Sequence, residues 1–283
     1  MLEGNAVNDW SRHTPWRQGH LLCNDAIAAF GLRHFTETEQ TLVIVASHDC
    51  DLSQSPDRER DVEVIVGYAV TNGDGNYTHA KTARKLHVEF TGDASFWAEF
   101  EASAKLAIDK VKLNGFAPRR DAQLSPDKLN TLQLWLASRY RRSAFPDEFD
   151  RRLKDETLAE KISKAVKPHG DFISGVFFDV DEGREIKRVG PDDTYTLDIY
   201  VLHPDEPDFI MAAAAAEQAV DKVQAAFINR LFKPTKTWKH IELRTCEVLS
   251  EAGLTYQLFK KLKRWQLDHI SLASEPQQPM LAE

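Results

Sequence analysis

The chain has 283 residues, of which 42% are hydrophobic and 28% charged, a composition that excludes wholesale disorder. Its formal net charge of −8 argues against a protein that coats nucleic acid non-specifically, because such proteins are usually basic. The longest uncharged apolar run, residues 210–216, is far shorter than the about 20 residues that a bilayer requires. We therefore expect a soluble, cytoplasmic protein with no membrane partner.

The first zone, residues 1–92, is predicted to be a β-rich module. A β-branched apolar run ends at residue 46, and apolar residues alternate with polar ones in the segments that follow. The segment Asn72-Gly-Asp-Gly-Asn76 predicts a turn of the hairpin type. A small curled sheet or an SH3-like barrel would accommodate these strands. The predicted strands cover residues 16–22, 42–46, 62–70 and 86–90.

The second zone, residues 93–169, is predicted to be helical. Apolar residues recur at intervals of three to five in each of its long segments, and Pro126 lies close to a first helical turn, where proline is tolerated. The predicted helices cover residues 95–112, 126–142 and 147–166.

The third zone, residues 170–283, is predicted to mix strands and helices. A charged stretch at residues 181–193 is typical of a solvated hairpin between two strands. An Ala-rich amphipathic segment that ends before Pro234 predicts the longest helix. The fold class of the whole chain is therefore α+β. Predicted strands cover residues 172–180, 194–203 and 238–249, and predicted helices cover residues 208–232 and 254–267.

Reactive side chains are concentrated in Ser47-His-Asp-Cys-Asp51, which directly follows the predicted buried strand at residues 42–46. A buried strand fixes the loop that leaves it, so sheet proteins often place reactive groups there. Asp49 and Asp51 are candidates to hold a metal or accept a proton, and Cys50 is a candidate nucleophile or ligand. A plainer interpretation is that Cys50 packs as a small apolar residue while the two carboxylates cap a turn.

A nucleophilic Cys50 would need a nearby cation, because two adjacent carboxylates disfavour its thiolate form. Lys81 and Arg84 lie on a predicted arm of the same β-rich module and are candidates for that role. If the substrate is a phosphoryl compound or a nucleic acid, Lys81 and Arg84 would also contact its phosphate groups. The predicted catalytic set is therefore Asp49, Cys50, Asp51, Lys81 and Arg84.

Two kinds of metal site are open at this point. His48, Asp49 and Cys50 would supply ligands for a divalent metal, and a Cys2His2 zinc set would add His20 and Cys23. The spacing of His48 and Cys50 is tighter than usual for zinc ligands. The three cysteines contain no CxxC pair, and such a sparse set indicates a reducing compartment rather than a disulfide framework.

A nuclease core is a further alternative. Glu185-Ile-Lys187 fits the D…(D/E)xK pattern, with Asp171 or Asp179 as the upstream carboxylate that would help to hold a divalent metal. The same triplet also fits a solvated hairpin. The chain contains no GxGxxG, GxxxxGK[ST], HExxH or GxSxG motif, which argues against dinucleotide oxidoreductases, P-loop NTPases, zincins and serine hydrolases.

Aromatic and basic residues interleave in the segment from Trp135 to Asp147. Arg139, Arg141 and Arg142 would bind phosphates there while the aromatic rings stack on bases. Alternatively, the aromatic residues pack internally and the arginines pair with the acidic residues that follow.

Several of these segments resemble a group of uncharacterised bacterial proteins. The resemblance covers roughly residues 15–147 and, more weakly, residues 265–268. Its segments are Trp16-Arg-Gln-Gly, Ser47-His-Asp-Cys-Asp-Leu, the Lys81-x-x-Arg arm, and Trp135-Leu-Ala-x-Arg-Tyr-x-Arg-x-Ala-Phe-Pro-Asp. It implies a bacterial or phage-borne origin and a setting in mobile elements or phage defence, and it transfers no catalytic residue.

Two functions follow from the sequence. In the first, the protein acts on or around nucleic acid as a metal- or Cys-dependent hydrolase in phage defence, with the Ser47–Asp51 loop as its working cleft. In the second, it is a non-catalytic binding or adaptor protein of a multi-protein bacterial system. Three features favour a protein partner: the negative net charge, the absence of any complete catalytic motif and the long Ala-rich helix.

Overall fold

A computed structural model describes residues 10–138, 145–184, 186, 188, 190 and 193–265. The chain divides into two compact units, residues 1–141 and 142–283. Both contain helices and sheets, so the predicted α+β class is confirmed. The zone boundaries predicted at residues 92 and 169 fall inside the first and the second unit. Within the described ranges, no helix combines the length and the apolarity needed to cross a membrane.

The first unit is built on a curled, half-barrel antiparallel sheet of five strands in the order β1-β2-β4-β3-β5. This confirms the β-rich N-terminal module. The strands are β1 (Thr41–Val45), β2 (Asp61–Val70), β3 (Lys85–Gly92), β4 (Phe96–Asp109) and β5 (Ala122–Gln123). The helices are α1 (Asn24–Ala29), α2 (Asp49–Leu52), α3 (Lys110–Leu113) and α4 (Pro126–Ser138).

This sheet is covered on both faces, which explains the uninterrupted apolar run in β1. Leu42 and Ile44 belong to one hydrophobic cluster, together with Trp135 of α4. Val43 and Val45 belong to a second cluster on the opposite face. A strand that is buried on both faces needs apolar side chains at consecutive positions rather than at alternate ones.

The helix predicted at residues 95–112 is wrong, because β4 occupies this segment. Phe96, Phe100, Ala104 and Ile108 suggested a helical period of four, but four is also a multiple of the strand period of two. The residues between them at even positions, Ala98, Ala102 and Leu106, are apolar as well. The odd positions are mainly polar, so the segment alternates as a half-buried strand does.

The hairpin predicted around residues 72–76 is also wrong. The chain does turn there, and a short 3₁₀ helix spans Gly75–Tyr77. The flanking strands β2 and β3 do not pair with each other, however, because β4 lies between them and pairs with both. The strand predicted at residues 16–22 is reduced to single bridges, such as that between Leu21 and Ile44 of β1.

The second unit contains a four-stranded sheet in the order β8-β7-β6-β9. Strands β7 and β8 run parallel, connected by the long helix α7, and the other pairs are antiparallel. One face of the sheet packs with α5, α6 and α7 into a single hydrophobic cluster. The elements are α5 (Asp147–Asp155), α6 (Leu158–Val166), β6 (Gly175–Val180), β7 (Tyr195–His203), α7 (Phe209–Leu231), β8 (Ile241–Ser250), α8 (Tyr256–Phe259) and β9 (Lys263–Trp265).

Predictions for this unit are confirmed for three strands and the long helix, and two others need correction. The helix predicted at residues 147–166 is two helices, because Thr157 takes a left-handed conformation with φ of 57° between them. The helix predicted at residues 254–267 is a single turn, α8, followed by the short strand β9. Three residues are too few for strand alternation to show in the sequence.

Candidate functional site

The Ser47–Asp51 loop follows β1 and leads into the single helical turn α2. The Ser47 hydroxyl accepts a hydrogen bond from the backbone N–H of Glu63 at 2.8 Å, which ties the loop to β2. His48 caps α2, because its Nδ1 accepts from the backbone N–H of Cys50 at 3.2 Å. The loop is therefore held by two neighbouring strands, β1 and β2. This agrees with the expectation that a buried strand fixes the loop that leaves it.

Asp49 fastens this loop to the chain segment that precedes α1. Its Oδ1 accepts from the backbone N–H of Gln18 at 2.8 Å, and its Oδ2 lies 3.9 Å from Nε of Arg17. The Gln18 side chain donates in turn to the carbonyl of Ala46 and accepts from Gln133, at 2.8 and 2.9 Å. The Asp49 carboxylate is thus used in holding the loop.

Lys110 binds the C-terminal end of α2, a role that the sequence did not indicate. Its side chain is fully buried, and Nζ donates to the carbonyls of Asp51 and Gln54 at 2.6 and 3.0 Å. The ammonium also lies 5.0 Å from the ring centre of Trp10. Burial lowers the pKa of Lys110, while the charge of Glu59 acts in the opposite direction. The amine thus binds two carbonyls at the C-terminal end of α2 and just beyond it.

A cavity of about 280 Å³ lies beside the loop; we call it the Trp135 pocket. Its walls come from the loop, from β2 and β4, and from α4. Ala46, Ile65, Ala102, Trp135, Leu136 and Ala137 form the apolar part of the lining. Gln18, Ser47, His48, Asp51, Glu63 and Lys105 supply the polar part.

Charges of both signs line the Trp135 pocket. Lys105 Nζ donates to Glu63 Oε1 at 2.8 Å, in an ion pair that links β4 to β2. Trp135 is 1% exposed, and its indole N–H has no hydrogen-bond partner among the described residues. Because this nitrogen is itself buried, Trp135 contributes the apolar surface of its ring to the pocket wall. The pocket thus combines apolar walls with a few polar groups, as binding sites for small ligands do.

The structure brings together only part of the predicted site. His48 and Asp51 line the Trp135 pocket, whereas Cys50 is exposed and is not part of its lining. Lys81 and Arg84 do not line it either; the buried ammonium of Lys81 donates to the carbonyl of Gly75. Arg139, Arg141 and Arg142 lie outside the described residues, as do Glu185 and Lys187 of the nuclease alternative.

Neither predicted metal site is assembled in the part of the chain that the structure describes. No three side chains of His, Cys, Asp or Glu are grouped there so that they could hold a metal ion. Nδ1 of His20 accepts from the backbone N–H of Arg17, and Cys23, Cys50 and Cys246 are free thiols. The spacing of these residues in the sequence therefore does not lead to a Cys2His2 set or to a His48–Asp49–Cys50 site.

A second polar cluster, which the sequence did not indicate, lies across β2, β4 and β3. Glu99 of β4 accepts from Lys85 Nζ and from His87 Nε2, each at 2.6 Å, and from the Tyr68 hydroxyl. These donors outweigh the opposing effect of burial, which is the largest single influence, and lower the pKa of Glu99 to about 2. His87 Nδ1 accepts from the backbone N–H of Asp74 at 2.9 Å. Both ring nitrogens of His87 are therefore occupied, which makes this cluster a structural one.

Comparison with known proteins finds no family model that matches the chain, no matching curated protein and no matching solved structure. The chemistry of the Trp135 pocket therefore carries the functional argument.

Proposed function

We propose that the first unit binds a nucleobase-sized group of a nucleotide or of single-stranded nucleic acid in the Trp135 pocket. The observation that carries this proposal is the lining of the 280 Å³ cavity, where apolar side chains and the Trp135 ring meet the charged groups of Asp51, Glu63 and Lys105. That volume lies just below the about 300 Å³ at which pockets for drug-sized ligands begin, so it suits one flat ring system.

The polar part of the lining favours a base over a phosphate group. A base edge presents donors and acceptors together, and the pocket offers both: a carboxylate on Glu63 and an ammonium on Lys105. The net charge of −8 disfavours binding through the phosphate backbone alone. Recognition of an unstacked base by an aromatic wall and a few polar groups does not require a positively charged surface, so the negative net charge does not oppose it.

Hydrolysis of the bound nucleic acid is the catalytic form of this proposal. Asp51 is the predicted catalytic carboxylate that lines the pocket, and it is the candidate to accept a proton from an attacking water. The cytoplasmic setting and the role in phage defence rest on the cysteine usage and on the resemblance of residues 15–147 to bacterial proteins. Both are parts of the proposal.

Calorimetric titration of the full chain with the common mononucleotides and with short single-stranded oligonucleotides tests the binding. We expect Trp135→Phe to weaken binding about tenfold, because the smaller phenyl ring leaves a gap in the pocket wall and makes fewer contacts with a bound base. Leu134→Ala is the matched control, since Leu134 is 61% exposed on the same helix and does not line the pocket. Asp51→Asn should retain binding but abolish any cleavage of the oligonucleotide.

Binding of no nucleotide or oligonucleotide at millimolar concentration would refute the proposal, as would equal affinity in Trp135→Phe and the wild type. Such a result would favour the second candidate, a non-catalytic adaptor. The observation in favour of an adaptor is the row Phe209, Ile210 and Met211 at the start of α7, whose residues are 50%, 79% and 55% exposed. Adjacent exposed apolar residues are typical of a surface that docks a protein partner.

A further inference from the structure

Two buried carboxylates face each other in the sheet of the second unit. Asp179 of β6 lies opposite Asp198 of β7 in the antiparallel pair. Opposite residues project to the same face of a sheet. Their neighbours Phe178 and Leu197 belong to the hydrophobic cluster, so both carboxylates project from the other face. Asp179 is 6% and Asp198 8% exposed.

The two carboxylates differ in how well they are paired. Arg244 donates to both oxygens of Asp198, through Nε and Nη2, and the Thr245 hydroxyl donates to Oδ1 at 2.9 Å. Asp179 receives the backbone N–H of Gly183, but its Oδ1 is buried without a partner among the described residues. A buried carboxylate oxygen that lacks a donor is expensive, and this one lies beside a second negative charge.

The charges around Asp179 indicate which kind of ligand would pair with its Oδ1 atom. Burial and the charge of Asp198 raise the pKa of Asp179, against the weaker effects of the Gly183 amide, Arg244 and Lys261. Among the described residues, Arg244 donates to Asp198 and Glu182, and no cation is within hydrogen-bond distance of the Asp179 Oδ1 atom. A short 3₁₀ turn, Asp181–Gly183, follows β6, and its Glu182 accepts from Arg244 at 2.9 Å.

We propose that Asp179 and Asp198 bind a hard divalent cation, Mg²⁺ or Mn²⁺, between their carboxylates. Magnesium is usually held in proteins by one or two carboxylates, with waters completing its octahedron, so a third acidic or histidine ligand is not required. The Oδ1 atom of Asp179, which has no partner among the described residues, would be one ligand, and Arg244 and Thr245 hold Asp198, the other, in place. The site lies wholly in the second unit and does not depend on the function proposed for the Trp135 pocket.

Binding of Mn²⁺ to the full chain, freed of metal with a chelator, tests this inference by electron paramagnetic resonance and by thermal unfolding with MnCl₂ or MgCl₂. We expect a dissociation constant of about 0.1–1 mM and a rise in the melting temperature of about 2–4 °C at tenfold excess over it. Asp179→Asn should bind Mn²⁺ at least tenfold more weakly. Without cation its melting temperature should equal or exceed that of the wild type, because it loses a like-charge contact. Asp171→Asn is the control, since Asp171 is an exposed carboxylate of the same unit.

Equal effects of Mn²⁺ on Asp179→Asn and the wild type would overturn the proposal. It would also be overturned if the wild type bound no cation while Asp179→Asn was more stable, because a proton shared by the two carboxylates would then satisfy the pair. Paramagnetic broadening in the wild type gives a test that requires no variant. Mn²⁺ should broaden the amide signals of Gly183 and Thr245 before those of Asp171, and broadening elsewhere alone would place the cation at another site.

Discussion

Glu99 connects three strands of the first unit through its side chain. Lys85 and His87 of β3 and Tyr68 of β2 all donate to its carboxylate, and Glu99 is 6% exposed. Burial, followed by the charge of Glu99 and its hydrogen bond to the Tyr68 hydroxyl, raises the pKa of Tyr68 to about 12. Such a network stabilises the fold only while the carboxylate is ionised, which makes the stability of the first unit dependent on pH.

We expect Glu99→Gln to reduce the free energy of unfolding by about 3 kcal/mol at pH 7, as removal of one partner of a buried ion pair does. The folded-state pKa of about 2 lies below the ordinary 4.5. The contribution of Glu99 is therefore complete above pH 4.5 and is lost as the pH falls from 4.5 towards 2. The difference between wild type and variant in urea denaturation should shrink over that range.

Glu101→Gln is the control for this experiment. Glu101 lies 3.7 Å from Lys85 Nζ, but its side chain is 40% exposed, so its loss should cost less than about 1 kcal/mol. A difference between wild type and Glu99→Gln that stayed constant from pH 7 to pH 2 would show that the ionised carboxylate is not what stabilises the network.

At the scale of elements, the sequence predicts well where side-chain periods are unambiguous. The alternation in β3 and the three-to-four spacing in α7 each match one secondary structure. In β4 the period of four fits both, and only the apolar residues at every even position decide for a strand. Thr157 could not be anticipated as a break, because nothing in its side chain demands a left-handed conformation.

The sequence likewise predicts only some of the residues of the candidate site. His48 and Asp51 follow a buried strand at once, so the sequence indicates their position. Glu63, Lys105 and Trp135 join them only because β4 pairs with β2 and α4 packs on the sheet. That strand order departs from the order in the chain, and no local pattern carries it.

The pairing of β2 with β4 depends on the absence of a side chain at Gly67. A Cβ atom there would lie 2.2 Å from the carbonyl oxygen of Glu99 and 2.5 Å from the ring of Phe100. We expect Gly67→Ala to separate the two strands and to reduce the free energy of unfolding by about 3 kcal/mol, measured by chemical denaturation. Gly115→Ala should be nearly neutral, because nothing lies within 4 Å of its added Cβ. Equal stabilities of the two variants would contradict this account of the strand pairing.

At the scale of the whole molecule, each unit has its own hydrophobic core. The two clusters of the first unit flank its sheet, and their buried members extend from Trp10 to Trp135. The cluster of the second unit extends from Phe145 to Trp265. A cavity in a core weakens the cooperative unit that this core holds together. The proposed ligand of the Trp135 pocket and the proposed cation should accordingly each stabilise a different unit.

Phe178→Ala provides the test of this division. Phe178 is fully buried, and its ring centre lies 5.6 Å from that of Phe145 and 5.8 Å from that of Trp265. Truncation should cost about 3–5 kcal/mol, and hydrogen exchange should accelerate in β6, β7 and β8. Exchange in β2 and β4 should keep its wild-type rate, because their side chains pack in the other clusters. Equal acceleration in β2 and β4 would show instead that the two cores unfold as one.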